Sequence, residues 1–193
     1  MVAAVPHLAT AADLLDLPDD VRAEVIGGVI VEKAAPAPDH GYAQLGLGSP
    51  IYDRFNRRPD DRHPGGWWVM SAVEVELAPH DVFRPDLVGW RRDRAPERPR
   101  DRPVKPRPDW ACEVLSPSNA RHDLVTKYRV YERSSVPHYW IVDPVREVLT
   151  VYRWEGGRYA VALVATRGET VRAEPFDAIE LQVGVLFGDD PTG

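Results

Sequence analysis

One cysteine, three lysines and two methionines stand in a chain of 193 residues. The lone Cys112 lies inside an apolar run. A disulfide framework and a cysteine-rich zinc site are both excluded, and a reducing cytosol suits the composition. No stretch approaches the roughly 20 apolar residues that cross a bilayer. No basic start followed by a long apolar run marks a secretion signal. The expectation is a cytoplasmic protein with no membrane partner. Surplus positive charge is missing too, since the formal net charge is −6. Coating nucleic acid non-specifically rests on excess Lys and Arg, so that role is disfavoured. An enzyme meeting a phosphate backbone through one local patch stays open. Because the basic residues are almost all arginine, Lys33, Lys105 and Lys127 stand out. A lysine offers a compact, adjustable point charge where arginine offers a rigid fork.

What is present is an ordinary globular composition, 44% apolar and 28% charged, in a length that suits one domain with a real core. We read residues 1–193 as that domain, with an ordered core over about residues 8–188. TAADLLDLPDD (10–20) reads as a short helix capped by Thr10 and stopped at Pro18. RAEVIGGVIVEK (22–33) is two apolar runs about Gly27-Gly28, the pair of a tight hairpin, with Glu24 on its first strand. HGYAQLGLGSPIYDRFNRR (40–58) has helical spacing, which Gly46, Gly48 and Pro50 should weaken or kink. VEVEL (73–77) alternates like a half-buried strand, and FRPDLVGW (83–90) follows it. The Pro-rich, mixed-charge segment 91–108 reads as a mobile surface loop, either a solvated connector or a basic arm for a phosphate backbone.

WACEVL (110–115) is a buried strand carrying Glu113 in its apolar run. Ser116-Pro117-Ser118-Asn119 then supplies helix-start chemistry. In that helix Ala120, Leu124, Tyr128 and Tyr131 form an apolar stripe. HYWIVDP (138–144) is a strand, and VLTVYRWEGGRYAVALV (148–164) is a hairpin turning at 155–157. One or two short strands end the pattern by Phe187. The fold class is α/β (α+β): a mixed β-sheet flanked by helices, with additional antiparallel hairpins.

Glu24, Asp86 and Glu113 are carboxylates within apolar strands, a costly placement unless each is paired or bound to metal. For any one of them an arginine partner at the core rim is the plainer reading. Two acids at neighbouring strand ends with a lysine on the next helix form a less ordinary set. Mg²⁺ prefers carboxylate, carbonyl and water oxygens and often uses only one or two acidic side chains. A lysine nearby can hold an attacking water or neutralise charge on a phosphate. With Leu124 at the centre of the stripe, Lys127 falls about 60° away, at the edge of the buried face. Asp123, four residues earlier, can pair with it.

RPDLVGW, then PDWACEVLSPSNARHDLVTKYRVYERSSVPHYWIVDP, then VYR closely resembles the Uma-two family of restriction-type endonucleases. EVLSPS, the Asp123-Lys127-Tyr131 spacing and VPHYWIVDP carry most of the likeness, with Glu24 and His40 matching weaker motifs. The family resembles the PD-(D/E)XK nucleases. The resemblance implies a restriction-endonuclease-like fold, DNA as partner, and Mg²⁺ (with Mn²⁺ able to substitute) held by Asp86, Glu113 and the Val114 carbonyl. Glu24 would assist through water, and Lys127 would serve the attacking nucleophile or the phosphate. Leu115 stands where the general nuclease pattern has its lysine, which implies that the lysine has migrated to Lys127. GLGSP interrupts what is usually an unbroken helix. His40 reads as a capping or packing histidine. The expected activity is Mg²⁺-dependent cleavage of DNA phosphodiesters. A nuclease-derived binding module without turnover is the alternative, and a scaffold with a structural charge network is a third reading. Double-strand cutting would take two sites, so a homodimer through edge strands or Trp67-Trp68 is possible.

Overall fold

Gly27 and Gly28 both adopt positive φ, 58° and 79°, as a tight hairpin turn requires. In this computed structural model, which describes residues 7–18, 20–117, 120 and 122–192, β1 (Ala23–Ile26) accordingly pairs antiparallel with β2 (Val29–Glu32). The strands β4 (Val75–Ala78) and β5 (Asp81–Phe83) complete a four-stranded sheet of order β2-β1-β5-β4. A larger sheet contains β3 (Trp67–Ser71), β6 (Leu87–Arg91), β7 (Trp110–Val114), β8 (His138–Asp143), β9 (Val148–Glu155) and β10 (Arg158–Thr166). Its order is β10-β9-β8-β7-β6-β3. Every pair in it is antiparallel except β7–β8, which need the helical crossover that a parallel pair demands. The short strands β11 (Thr170–Val171) and β12 (Leu181–Gln182) pair with one another. This is the mixed-sheet architecture expected.

Period-two alternation sorts the two faces of the large sheet. Trp110, Cys112 and Val114 of β7 and Trp140 and Val142 of β8 pack with α2 (Pro38–Phe55), Trp67 and Phe176. Ala111, Tyr139 and Ile141 face the opposite way, towards Tyr131 and Phe83. Glu113 shares that second face, because it lies two residues from Ala111. It is fully buried.

Two expectations about helices change. The first helix, α1, is only Ala11–Leu15. Thr10 N donates to Asp13 Oδ2 at 2.8 Å at its start, and the approach to Pro18 denies residue 17 helical backbone. By contrast α2 runs unbroken through Gly46, Gly48 and Pro50. These glycines are where the helix packs closest. A Cβ on Gly48 would come within 3.0 Å of Leu87 Cδ2, and one on Gly46 within 3.5 Å of the Val185 carbonyl oxygen.

Segment 91–108 is not the mobile loop expected. Val104 is buried and bridges to Val75. Arg102 pairs with Glu74 at 2.9 Å and Arg94 with Asp109 at 2.9 Å, while Trp90 Nε1 donates to the Pro106 carbonyl at 2.8 Å. Several of its polar groups find partners elsewhere on the protein. Trp67 is buried in the main core, and Trp68 lies half-buried beneath the Arg92 guanidinium, 3.5 Å from the ring centroid. Among the described residues no helix is long and apolar enough to cross a membrane.

Candidate metal and phosphodiester site

Antiparallel pairing of β6 with β7 sets the start of one strand beside the end of the other. Leu87 is registered with Cys112, so Asp86 lies next to Glu113 and Val114. Asp86 Oδ2 accepts the Val114 amide at 2.8 Å. The chain leaves the small sheet at Phe83 and enters the large one at Leu87, so Arg84-Pro85-Asp86 is the hinge between them. There the Arg84 amide donates to Glu24 Oε1 at 2.6 Å, which draws β1 into the same corner. Glu24, Asp86 and Glu113 thus meet where the two sheets adjoin.

Of the helix start expected on the crossover from β7, Ser118 and Asn119 lie outside the described residues. The crossover forms a π-helical turn, His122–Lys127, running into α3 (Tyr128–Arg133). Its buried face is polar. Asp123, Lys127 and Tyr131, spaced by four, all point inward, whereas Leu124 is 42% exposed. The expected apolar stripe is therefore rotated, and Lys127 sits in the centre of the buried face instead of at its edge. The electrostatics explain the choice. Lys127 Nζ lies 2.9 Å from Glu24 Oε1, 3.0 Å from Glu113 Oε1 and 3.0 Å from Asp123 Oδ1. Bringing one ammonium to three buried acids outweighs burying one leucine, because an unpaired buried charge costs several kcal/mol. Tyr131 Oη also donates to Glu113 Oε1, at 3.1 Å.

Two donors thus hold Glu113 Oε1, while Glu113 Oε2 is buried with no hydrogen-bond partner. It faces Lys33 Nζ at 4.0 Å. Lys33 closes β2, donates to the Arg84 carbonyl at 2.9 Å, and stands 3.8 Å from Glu24 Oε1 and 3.6 Å from Asp86 Oδ1. His40 Nε2 lies 3.3 Å from that same Asp86 oxygen. Gln44 Nε2 donates to the Asp86 carbonyl at 2.8 Å. A cleft of about 150 Å³ opens above them, lined by Arg22, Lys33, His40, Gln44, Arg84 and Asp86. Lys127, at 1% exposure, does not reach it; Lys33, with 15% of its side chain exposed, does.

Four carboxylates meet two ammonium groups here, so the cluster carries excess negative charge when all are ionised. Burial pushes the Glu113 carboxyl up to about 8; Lys127 opposes this, and Asp123 adds to it. Burial acts the same way on Asp86, but its hydrogen bond with His40, the Lys33 charge and the Val114 amide outweigh it and hold that carboxyl below its usual range. Lys127 is raised well above an ordinary lysine, because Glu113, Glu24 and Asp123 overcome its burial. Between about pH 4.5 and 8 the folded protein keeps a proton on Glu113 that an unfolded chain has released. Stability in metal-free buffer should therefore fall as pH rises through that window. Urea titrations in EDTA at pH 5 and pH 8 measure the slope. Glu113→Gln should flatten it, and an unchanged slope would place the proton elsewhere.

Among the described residues no group of three His, Cys, Asp or Glu side chains is set to hold an ion as it stands. Magnesium needs fewer, since one or two carboxylates with water and carbonyl oxygens suffice. Asp86 Oδ1 and the orphaned Glu113 Oε2 are hard oxygens facing one ammonium at the rim of the cleft, in a cluster short of positive charge. They fit such an ion.

The Uma2 family model, described as Putative restriction endonuclease, matches residues 11–184. The chain belongs to the Uma2 family. A solved structure titled as a putative nuclease belonging to DUF820 from Anabaena variabilis ATCC 29413 shares the fold. It is 21% identical, with a TM-score of 0.72, over 92% of this chain and 97% of that one. No curated protein matches the chain. Within this Uma2 site, Lys33 and Asp123 complete the cluster that Glu24, Asp86, Glu113 and Lys127 begin. The scarcity of lysine was the available signal for Lys33. For Asp123 it was the spacing of four to Lys127.

Proposed function

We propose that this Uma2 protein is a Mg²⁺-dependent endonuclease hydrolysing DNA phosphodiesters. The observation that carries this is the pair of carboxylate oxygens, Asp86 Oδ1 and the unpartnered Glu113 Oε2, that face the Lys33 ammonium at 3.6 and 4.0 Å in a cluster where carboxylates outnumber ammonium groups. Asp86, Glu113 and the Val114 carbonyl would hold the ion. A cation so bound lowers the pKa of its water and supplies a hydroxide-like nucleophile at neutral pH. Lys127 and Tyr131 act indirectly, by fixing Glu113 Oε1 so that Oε2 stays turned to Lys33. Glu24, shared between Lys127 and the Arg84 amide, holds that ammonium in place. Lys33 is the ammonium that can meet a scissile phosphate, since it alone of the two lysines lines the cleft. Cutting both strands would take two copies of this one site, which makes a homodimer the expected working form.

Supercoiled DNA should be nicked in Mg²⁺ or Mn²⁺ and spared in EDTA. Intact DNA across a broad substrate panel, with tight Mn²⁺ binding retained, would turn the reading to a binding module. Lys33 gives a second test. Its ammonium faces the same oxygens as the ion and repels it, so Lys33→Met should bind Mn²⁺ several-fold more tightly by calorimetry while cutting more slowly. Weaker Mn²⁺ binding in Lys33→Met would show that Lys33 supports the site instead of competing for it.

A further inference from the structure

Arg58, Arg92, Arg98 and Arg100 gather around Trp68 in a cleft of about 890 Å³, away from the acids. Among the described residues no carboxylate lies within ion-pair distance of any of the four, although Glu97 also lines the cleft. The contrast within the 91–108 segment is informative. Arg94 and Arg102 are bound to Asp109 and Glu74, and Arg107 donates to the Ser135 carbonyl at 2.7 Å. Arg98 and Arg100 are left exposed. Neighbouring arginines repel: Arg92 is held below an ordinary arginine by its burial and by Arg58. Like charges crowded without a carboxylate to balance them favour an anion.

The cleft is not isolated. Strand β3 and the residue after it make a continuous floor from it to the acids: Trp68 lines the arginine cleft, Met70 and Ser71 line a mainly apolar trough of about 650 Å³ in which Asp53 is paired with Arg57, and Ala72 lines the acidic cleft. The facing wall is α2. Tyr52 and Asn56 flank the arginine end, Ser49 and Leu45 the trough, and Gln44 and His40 the acidic end. From Gln44 to Asn56 the helix rises roughly 18 Å, about five base steps of 3.4 Å. Tyr52 and Leu45 are both exposed along it.

We propose that this trough is the track of a nucleic-acid strand. Its phosphates are held by Arg58, Arg92, Arg98 and Arg100, its bases or sugars rest on the apolar wall at Tyr52 and Leu45, and its scissile bond reaches Asp86 and Lys33. This rests on the nuclease reading for the acidic end and assigns the substrate contacts that the acids cannot make. It also resolves the charge problem. A protein of net charge −6 can hold a polyanion through one local cluster of arginines.

The test is fluorescence anisotropy with a labelled oligonucleotide duplex in EDTA, where nothing is cut, across a salt series. The triple variant Arg58→Ala/Arg98→Ala/Arg100→Ala changes only exposed residues, and circular dichroism checks its fold. It should bind at least roughly tenfold more weakly at low salt. The slope of log affinity against log salt should shrink by about two to three, near 0.9 for each phosphate that is no longer neutralised. The corresponding triple lysine variant should keep most of both. Unchanged affinity and slope in the alanine variant would overturn the track, as would displacement of the oligonucleotide by poly-glutamate at equal charge. Wild-type binding without cutting in any metal would sink the nuclease reading and leave the track. Cutting undiminished in the triple variant would do the reverse.

Discussion

Asp86→Asn should abolish Mn²⁺ binding and slow DNA cutting by roughly 10²–10³-fold or more while leaving the fold intact. The asparagine is isosteric, and its amide oxygen can still accept the Val114 N–H that Asp86 Oδ2 receives at 2.8 Å. The junction between β6 and β7 therefore keeps its hydrogen bond. What disappears is the negative charge facing Lys33 at 3.6 Å and His40 at 3.3 Å. Magnesium sites use one or two carboxylates, so losing one of two is a large fraction of the binding energy. Calorimetry with Mn²⁺ and single-turnover nicking measure the two effects, and thermal melting in EDTA checks the fold. A variant that binds Mn²⁺ as wild type does would remove Asp86 from the proposed ligand set.

That Asp86 and Glu113 stand at the ends of neighbouring strands was legible in the sequence, but the direction of their pairing was not. RPDLVGW and WACEVL read as strands, and the antiparallel pairing found in the fold sets the start of one against the end of the other. The hairpin at Gly27-Gly28 was legible too, since two consecutive glycines permit the positive φ that the turn demands. The crossover helix was misjudged in phase. Apolar patterning turns Leu124 inward, but the folded chain turns Asp123 and Lys127 inward and leaves Leu124 42% exposed. A stripe rule weighs transfer from water and has no term for acids brought in on other strands. Nothing local to residues 120–131 reports that Glu24 and Glu113 await a cation. The 91–108 segment failed for the converse reason. Proline and charge mark loops, yet Arg94, Arg102 and Val104 have long-range partners that composition does not show.

Lys33 lies between these cases. Its rarity was visible, whereas its role depended on where a hairpin end would land. The end of β2 reaches the corner only because β1 packs beside β5 and the Arg84 amide caps Glu24. One lysine is thereby buried to organise the acids, and the other is held at the cleft beside them. The two ammonium groups make opposite predictions when removed: Lys33→Met should relieve competition for a cation, and Lys127 variants should take the cluster apart.

Lys127→Met is expected to carry the largest stability loss in the molecule, about 3–5 kcal/mol, the range for breaking a buried ion pair by deleting one partner. Its ammonium contacts Glu24, Glu113 and Asp123 within 3.0 Å, and methionine fills a similar volume without offering charge. Three buried acids would then lie close together with only Lys33 near. Because the three acids outweigh burial and raise the Lys127 pKa, its contribution is fully present across the neutral range and is lost only above the ordinary lysine range. The penalty of the variant should therefore be smallest at acid pH, where the acids take up protons, and grow as pH rises towards 8 and Glu113 releases its own. Urea denaturation in EDTA at several pH values measures this. Lys127→Met/Glu113→Gln should recover part of the loss, since removing one carboxylate lowers the repulsion that the missing ammonium had balanced. If Lys127→Met stays within about 1 kcal/mol of wild type at pH 8, the acids are not jointly ionised around it, and the charge excess invoked for metal binding does not exist.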